Sequence, residues 1–158
     1  MLNEMPPKLQ LLLAILILSP QVISAQNCNS NSRAAKAVSN VAEGIIAADN
    51  ARDLKRVMNF YALDAVLMPP NDSPVTGHDA IRPRYELMFS SFQPKIEARV
   101  DQICVEGRTS FVRGHNGGQL VSTNGGESRQ LDDTYLMLLR KGNDGLWRIT
   151  HLIWHRSH

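Results

Sequence analysis

One stretch of the sequence, from Asp53 to Phe92, changes structural pattern several times in quick succession. Its apolar spacing and its Pro, Gly and Asn residues predict short elements separated by tight turns. In order, these are a helix capped by Asp53, a corner at residues 62–64, a strand at residues 65–68, a turn at residues 71–74, a strand at residues 75–76 and a helix after Gly77. Pro83 predicts an irregular or late start for that last helix. Such frequent reversals predict a compact cup.

The regions on either side of this stretch have different patterns. Before it, apolar residues recur at helical spacing from Arg33 to Asn50, with Ser32 as a candidate N-cap. After it, Gly- and Asn-containing turns separate four predicted strands, at residues 95–106, 110–122, 131–140 and 146–154. Within the second strand, residues 116–118 (Asn-Gly-Gly) predict a bulge or sharp bend. This order predicts an α+β domain in which three helices pack on a strongly curved, mostly antiparallel sheet.

The N-terminus has the pattern of a secretory signal peptide. A polar start precedes an unbroken apolar run from Leu11 to Leu18, and small residues before Gln26 suit cleavage after Ala25. The run is shorter than the ~20 residues of a membrane-spanning helix, which argues against a membrane anchor. We therefore predict a signal peptide over residues 1–25, a flexible lead-in over residues 26–32 and one folded domain over residues 33–158. The mature protein is expected in the periplasm or outside the cell, and not in a membrane.

Charge argues against a nucleic-acid partner. The 158 residues include 17 Lys and Arg and 15 Asp and Glu, for a formal net charge of +2. The positive residues are scattered among the acidic ones, whereas a nucleic-acid-binding protein concentrates them on one helix or in one run.

The two cysteines, Cys28 and Cys104, leave two alternatives open. In an oxidising compartment they can close one disulfide that ties the mature N-terminus to a strand. Alternatively, Cys28 is free and Cys104 is a small buried apolar residue.

Three sequence segments, taken in order, resemble a known family. They are YALDAVLMPP at residues 61–70, VTGHDAIR at residues 75–82 and WRITHLIW at residues 147–154. Together they are similar to the SnoaL-like, ketosteroid-isomerase-like domains of the nuclear transport factor 2-like superfamily, and are closest to a branch of unknown function. The resemblance extends over residues 34–155. It implies a cone-shaped domain with an apolar pocket at the wide end, and a homodimer formed through the sheet face.

The resemblance does not extend to the catalytic residues of the steroid isomerases. In those enzymes a carboxylate base follows the corner motif, where this chain has Met68 and Pro69. The catalytic tyrosine would fall near Ile45, and the protonated acid among residues 135–137 (Tyr-Leu-Met). Relatives in the branch of unknown function also carry an Asp where this chain has Leu152. The ketosteroid isomerase mechanism is therefore not predicted, and whether the chain is an enzyme stays open.

His115 is the candidate catalytic residue. It lies on a strand predicted to cross the pocket, and alternation places Arg113 and Phe111 on its face. A histidine in an apolar cup can exchange a proton near neutral pH. The alternative is a solvent-facing or hydrogen-bonded strand histidine without a chemical role.

The candidate ligand pocket is apolar and aromatic, with the polar tips of several rings available to a ligand. Its predicted lining residues are Tyr61, Met68, Tyr85, Phe89, Tyr135, Leu152 and Trp154. The alternative for each of them is a place in the ordinary core.

Other polar residues give weaker signals. His151 and His155 lie ~13 Å apart along a strand and His158 is terminal, so no metal site is predicted. Asp132 and Asp133 point to opposite faces and suit a strand-entry turn, although Asp133 shares a face with Tyr135. Asp64 is expected to accept backbone hydrogen bonds at the corner.

Three functions are compatible with the sequence. The favoured one is an exported domain that binds a small apolar molecule without turnover, with no cofactor. The second is an isomerase, cyclase or hydratase that uses His115 and the pocket tyrosines. The third is an interaction module, in which the pocket is filled and the sheet binds another protein.

Overall fold

The computed structural model of the protein describes Cys28 and residues 32–157. The predicted signal peptide, most of the lead-in and His158 lie outside the described residues. The elements in chain order are α1 (Arg33–Asn50), α2 (Leu54–Phe60), β1 (Tyr61–Met68), β2 (Val75–Thr76), α3 (His78–Ser91), β3 (Phe92–Glu106), β4 (Thr109–Ser122), β5 (Arg129–Lys141) and β6 (Trp147–Arg156). No helix in this part of the chain is long and apolar enough to cross a membrane.

The strands form a six-stranded sheet in the order β2-β1-β6-β5-β4-β3. Only β1 and β6 pair in parallel, and the other neighbours are antiparallel. The three helices pack on the concave face of this curled, open sheet, so the predicted α+β class and mostly antiparallel sheet are confirmed.

At two helix–strand junctions the strand begins earlier than predicted, and the corner predicted at residues 62–64 lies within β1. Tyr61 begins β1 instead of ending α2, and Phe92 begins β3 instead of ending α3. Both residues have extended backbone angles, so each strand follows its helix without a loop. Pro83 does not delay α3, which begins at His78 and contains Pro83 in its second turn, at the cost of one helical hydrogen bond.

The β3–β4 hairpin bends sharply around α1. The pairing register skips Asp101, between the pairs Val100–Gly114 and Gln102–Arg113, so the bulge lies on β3 and not at residues 116–118. A Cβ at Gly114 would clash with the carbonyl oxygen of Arg99, and one at Gly118 with that of Lys95. Gly118 also has a φ of 107°, which suits the predicted sharp bend.

The buried face of α1 packs on the inner face of this bend. Its residues Val38, Val41, Ile45 and Ala48 join the main core, as their spacing predicts. Asn50, at the end of α1, fixes the helix to β3. Its side-chain amide donates to the Ile96 carbonyl at 2.8 Å, and its side-chain oxygen accepts from the Ile96 N–H at 2.8 Å.

A disulfide joins Cys28 to Cys104 on β3, with 4.5 Å between the Cα atoms. The structure therefore selects the bonded alternative over the free thiols. The bridge spans 76 residues of sequence and attaches the segment before α1 to the sheet.

Candidate functional site

A cavity of about 530 Å³ lies between the helices and the concave face of the sheet. Apolar side chains form much of its wall, among them Ile45, Leu67, Met88, Met137, Leu152 and Trp154. Some lining residues are buried, as Ile45 is, whereas Asp72 and Arg129 are exposed, so the cavity opens to solvent at one end. Its volume suits a small organic ligand.

Four buried polar atoms of the cavity wall make no hydrogen bond within the described part of the chain. They are Asp49 Oδ1, Asn116 Oδ1, Asp133 Oδ1 and the Tyr135 hydroxyl oxygen. A buried polar atom without a partner costs about 1–3 kcal/mol, and folded proteins rarely retain several of them. Their concentration in one cavity is therefore the strongest indication of a ligand site.

Asp49 belongs to the last turn of α1, one turn after Ile45. The Asn50–Ile96 hydrogen bonds hold this turn against β3, which keeps Asp49 in the cavity wall. Burial raises the pKa of the Asp49 carboxyl to about 8 because the surroundings disfavour its charged form. At neutral pH the group is largely protonated and can both donate and accept a hydrogen bond.

Two tyrosines form a buried pair beside this carboxyl. The hydroxyl oxygens of Tyr61 and Tyr85 lie 2.7 Å apart, and Tyr85 lines the cavity. Burial raises the pKa of both hydroxyls well above the ordinary value of 10.0, and the nearby Asp49 charge acts in the same direction. Both tyrosines therefore stay protonated, and because one hydroxyl donates to the other, the pair has one O–H left to donate.

The sheet supplies the opposite polar wall. Asn116 on β4, Asp133 on β5 and Arg156 on β6 are direct neighbours in the strand register, and all three line the cavity. Burial raises the pKa of the Asp133 carboxyl, while the charge of Arg156 opposes that shift. Tyr135 follows on the same face, where burial raises its pKa to about 12. Its hydroxyl oxygen would lie 2.6 Å from a Cβ at Gly114.

Four of the seven predicted lining residues line the cavity, namely Tyr85, Tyr135, Leu152 and Trp154. The other three do not. Tyr61 and Phe89 pack behind Tyr85, with ring-centroid distances of 6.1 and 5.8 Å. At the end of β1, Met68 is half-buried, and its neighbour Pro69 takes the place in the wall.

His115 lies on the convex face of the sheet and not in the cavity, so its predicted pocket position is wrong. Its Nδ1 atom is 2.8 Å from Oδ2 of Asp101, the residue at the bulge. The Asp101 carboxylate also pairs with Arg99 at 3.0 Å. Val112 is buried in the core, and alternation along β4 places Asn116 on the same face as Val112. Asn116 therefore faces the ligand site, and His115 does not.

The Asp64 carboxylate was expected to accept backbone hydrogen bonds at the corner. Asp64 on β1 pairs with Arg140 on β5 at 3.0 Å, across the intervening strand β6, so its principal side-chain partner is a charged group.

Among Cys28 and residues 32–157, no group of three His, Cys, Asp or Glu side chains is placed to hold a metal ion.

Of the four residues with unpaired polar atoms, Tyr135 was predicted to line the site, and Asp49, Asn116 and Asp133 were not. Asp49 follows Ile45 by four residues, so it extends the buried helical stripe and signals a carboxyl on an apolar face. Asn116 alternates with Val112, which identifies its face as the inner one. For Asp133 the shared face with Tyr135 was the correct signal, and the strand-entry interpretation was wrong because the residue is buried.

The family model of the SnoaL-like domain matches residues 42–150, which is more than half of the chain. The chain belongs to the SnoaL-like family. In this SnoaL-like chain the matched range includes most of the cavity wall, from Ile45 on α1 to Met137 on β5. No curated protein sequence matches it significantly.

Solved structures share the fold of this SnoaL-like chain. A ketosteroid isomerase-like protein from Erwinia carotovora atroseptica has a TM-score of 0.72 at 22% identity, over 78% of this chain and 95% of that one. A candidate scytalone dehydratase from Novosphingobium aromaticivorans has a TM-score of 0.67 at 14% identity, over 78% of this chain and 83% of that one. An NTF-2 like protein of unknown function from Shewanella oneidensis has a TM-score of 0.61 at 18% identity, over 75% of this chain and 96% of that one. At these identities the likeness shows the NTF2-like fold.

The raised pKa of Asp49 predicts how stability depends on pH. Between the ordinary value of 3.8 and about 8, the folded chain holds a proton on Asp49 that the unfolded chain has lost. The free energy of unfolding must therefore fall as pH rises through this window, and the raised pKa of Asp133 acts in the same direction. Asp49→Asn should reduce the fall by an amount on the order of a few kcal/mol, measured by urea unfolding across this window.

Glu97→Gln is the control for this measurement, because Glu97 is an exposed carboxylate on β3. It should keep the wild-type dependence on pH. If Asp49→Asn kept the wild-type dependence as well, Asp49 would not hold a proton in the folded chain.

Proposed function

We propose that this SnoaL-like domain binds a small, largely apolar molecule that carries a hydrogen-bonding group. The observation behind the proposal is the set of four buried polar atoms without partners in one cavity. A ligand carbonyl or hydroxyl would accept from protonated Asp49 or from Tyr135, and would remove the cost of leaving those atoms unpaired. The apolar wall would bind the hydrocarbon part of the molecule.

Binding of 1-tetralone, a neutral bicyclic ketone, tests this proposal. Calorimetry should detect binding to the wild type, and the ketone should raise the melting temperature. Leu131→Trp should abolish both effects, because Leu131 lines the cavity and a larger ring would fill it. Tyr135→Phe should weaken binding by roughly 5-fold or more, as expected for the loss of one hydrogen bond.

Leu146→Trp is the matched control, since Leu146 is 58% exposed in the β5–β6 turn and lies outside this cavity. It should bind the ketone as the wild type does. Binding that persists in a folded Leu131→Trp variant would place the ligand elsewhere and refute the proposal.

Acid–base catalysis is the second candidate function, favoured by one observation. Asp49 and Asp133 are buried carboxyls that line the same cavity, and of the two only Asp133 has an arginine charge that opposes the rise of its pKa. Different environments separate the roles of two carboxyls, with Asp49 as the proton donor and Asp133 as the proton acceptor. The fold relatives described as dehydratase and isomerase-like are compatible with such chemistry.

Proton exchange separates catalysis from simple binding. In D₂O, catalysis by Asp133 would speed deuterium incorporation at the α-carbon of 1-tetralone, followed by NMR. Asp133→Asn should reduce the excess rate by about 100-fold or more, while binding is retained. If the ketone exchanged at the uncatalysed rate in the presence of the wild type, catalysis on this ketone would be ruled out and simple binding would stand.

We also propose that the exported protein is a homodimer formed through the convex face of the sheet. Leu136, Leu138 and Ile153 lie on that face with 37%, 40% and 42% of their surface exposed, and Leu136 pairs directly with Ile153. An exposed apolar cluster of this kind favours a protein contact over the open solvent. The Cys28–Cys104 disulfide supports export, because such bonds persist in oxidising compartments.

Oligomeric state tests the dimer. Light scattering of the wild type should give twice the chain mass, and Leu136→Glu combined with Ile153→Glu should give a monomer, because charges would be buried at the contact. Leu63→Glu is the control, as Leu63 is 80% exposed on β1 and is expected to leave the dimer intact. A monomeric wild type would rule the dimer out.

A further inference from the structure

The open end of the cavity carries an excess of arginine. Arg84, Arg129 and Arg156 all line it. Arg84 pairs with Asp72, and Arg156 lies directly opposite Asp133 in the strand register. Arg129 forms no ion pair with any carboxylate in the described part of the chain. Arg129 is thus left at the cavity mouth without a carboxylate as counter-charge.

Arg129 is also held in a defined position. Its guanidinium carbon lies 4.9 Å from the centroid of the Phe92 ring, and Phe92 lines the same cavity. A cation–π contact of this kind uses the face of the guanidinium group and leaves its N–H edge available. That edge presents paired donors that match the two oxygens of a carboxylate.

Along the inner face of β5, the type of side chain changes from the mouth of the cavity inward. Arg129, Leu131, Asp133 and Tyr135 alternate along it, so a cation, an apolar side chain and then hydrogen-bonding groups succeed one another. Arg129 and Asp133 are four residues apart, about 13 Å along an extended strand. A ligand that contacts both Arg129 and Asp133 must therefore have an apolar body that spans this separation.

We propose that the mouth of the cavity is a carboxylate subsite, and that the ligand is an apolar monocarboxylate whose anionic group binds Arg129. The apolar body of the ligand lies along Leu131 and the facing helices, and it points toward the buried polar atoms. This inference rests on the proposed binding function of the cavity and adds the charge class of the ligand to it.

Calorimetry with 4-phenylbutyrate and 4-phenylbutyramide tests the subsite, since the two probes differ only in the charged group. The wild type should bind the carboxylate at least about 10-fold more tightly than the amide. Arg129→Gln should remove this preference and leave the affinity for the amide unchanged. Arg129→Lys should keep part of it, because lysine supplies the charge without the planar fork. Added salt should weaken binding of the carboxylate and leave binding of the amide unchanged.

Lys55→Gln is the control, because it removes the same charge from an exposed position on α2 outside the cavity wall. It should keep the wild-type preference. Equal binding of the two probes to the wild type, or an unchanged preference in Arg129→Gln, would overturn the carboxylate subsite while the binding function stood. Binding of neither probe would count against the cavity function and this inference together.

Discussion

The rest of the structure depends on the close approach of two backbones at the bend of the β3–β4 hairpin. Gly114 and Gly118 lie on the inner face of β4, where a Cβ would meet a carbonyl oxygen of β3. Any other residue at these positions would push the strands apart and flatten the hairpin. The bulge at Asp101 lets β3 turn with its partner. The sheet can therefore curl around α1, and the cavity is the part of this concave space that the helix leaves unfilled.

The same bend decides which side chains meet in the cavity. Tyr135 lies across Gly114, where no side chain competes for the space, and its hydroxyl is buried as a result. Asn50 fixes the end of α1 to β3, and Asp49 is held in the opposite wall. A carboxyl with a pKa of about 8 is unfavourable for folding at neutral pH, so the site retains a cost that a bound ligand can offset.

Much of the fold followed from local patterns, while the polar site did not. Helical spacing predicted α1 over its full length, and turn residues separated the four long strands correctly. The face of β4 was assigned from His115, a chemically attractive residue, although buried Val112 shows that the alternation runs the other way. Residues 116–118 were expected to form a bulge or a sharp bend; they lie at the bend, and Asp101 on β3 supplies the extra residue of the bulge. Chemical attractiveness is a poor guide to orientation, because burial and not reactivity fixes the phase of a strand.

The sequence by itself determined the order of elements, the α+β class and the family, because these depend on periodicity and on motifs that are local in the chain. It also limited the chemistry, since a carboxylate is missing after the corner, where Met68 and Pro69 stand. Only the tertiary structure decided which polar groups face the same space. Asp49, Asn116 and Asp133 come from α1, β4 and β5, and their separation in sequence gives no measure of their separation across a bent sheet. The pKa of Asp49 was likewise decided by tertiary burial, because desolvation depends on what surrounds a group and not on its neighbours in the chain.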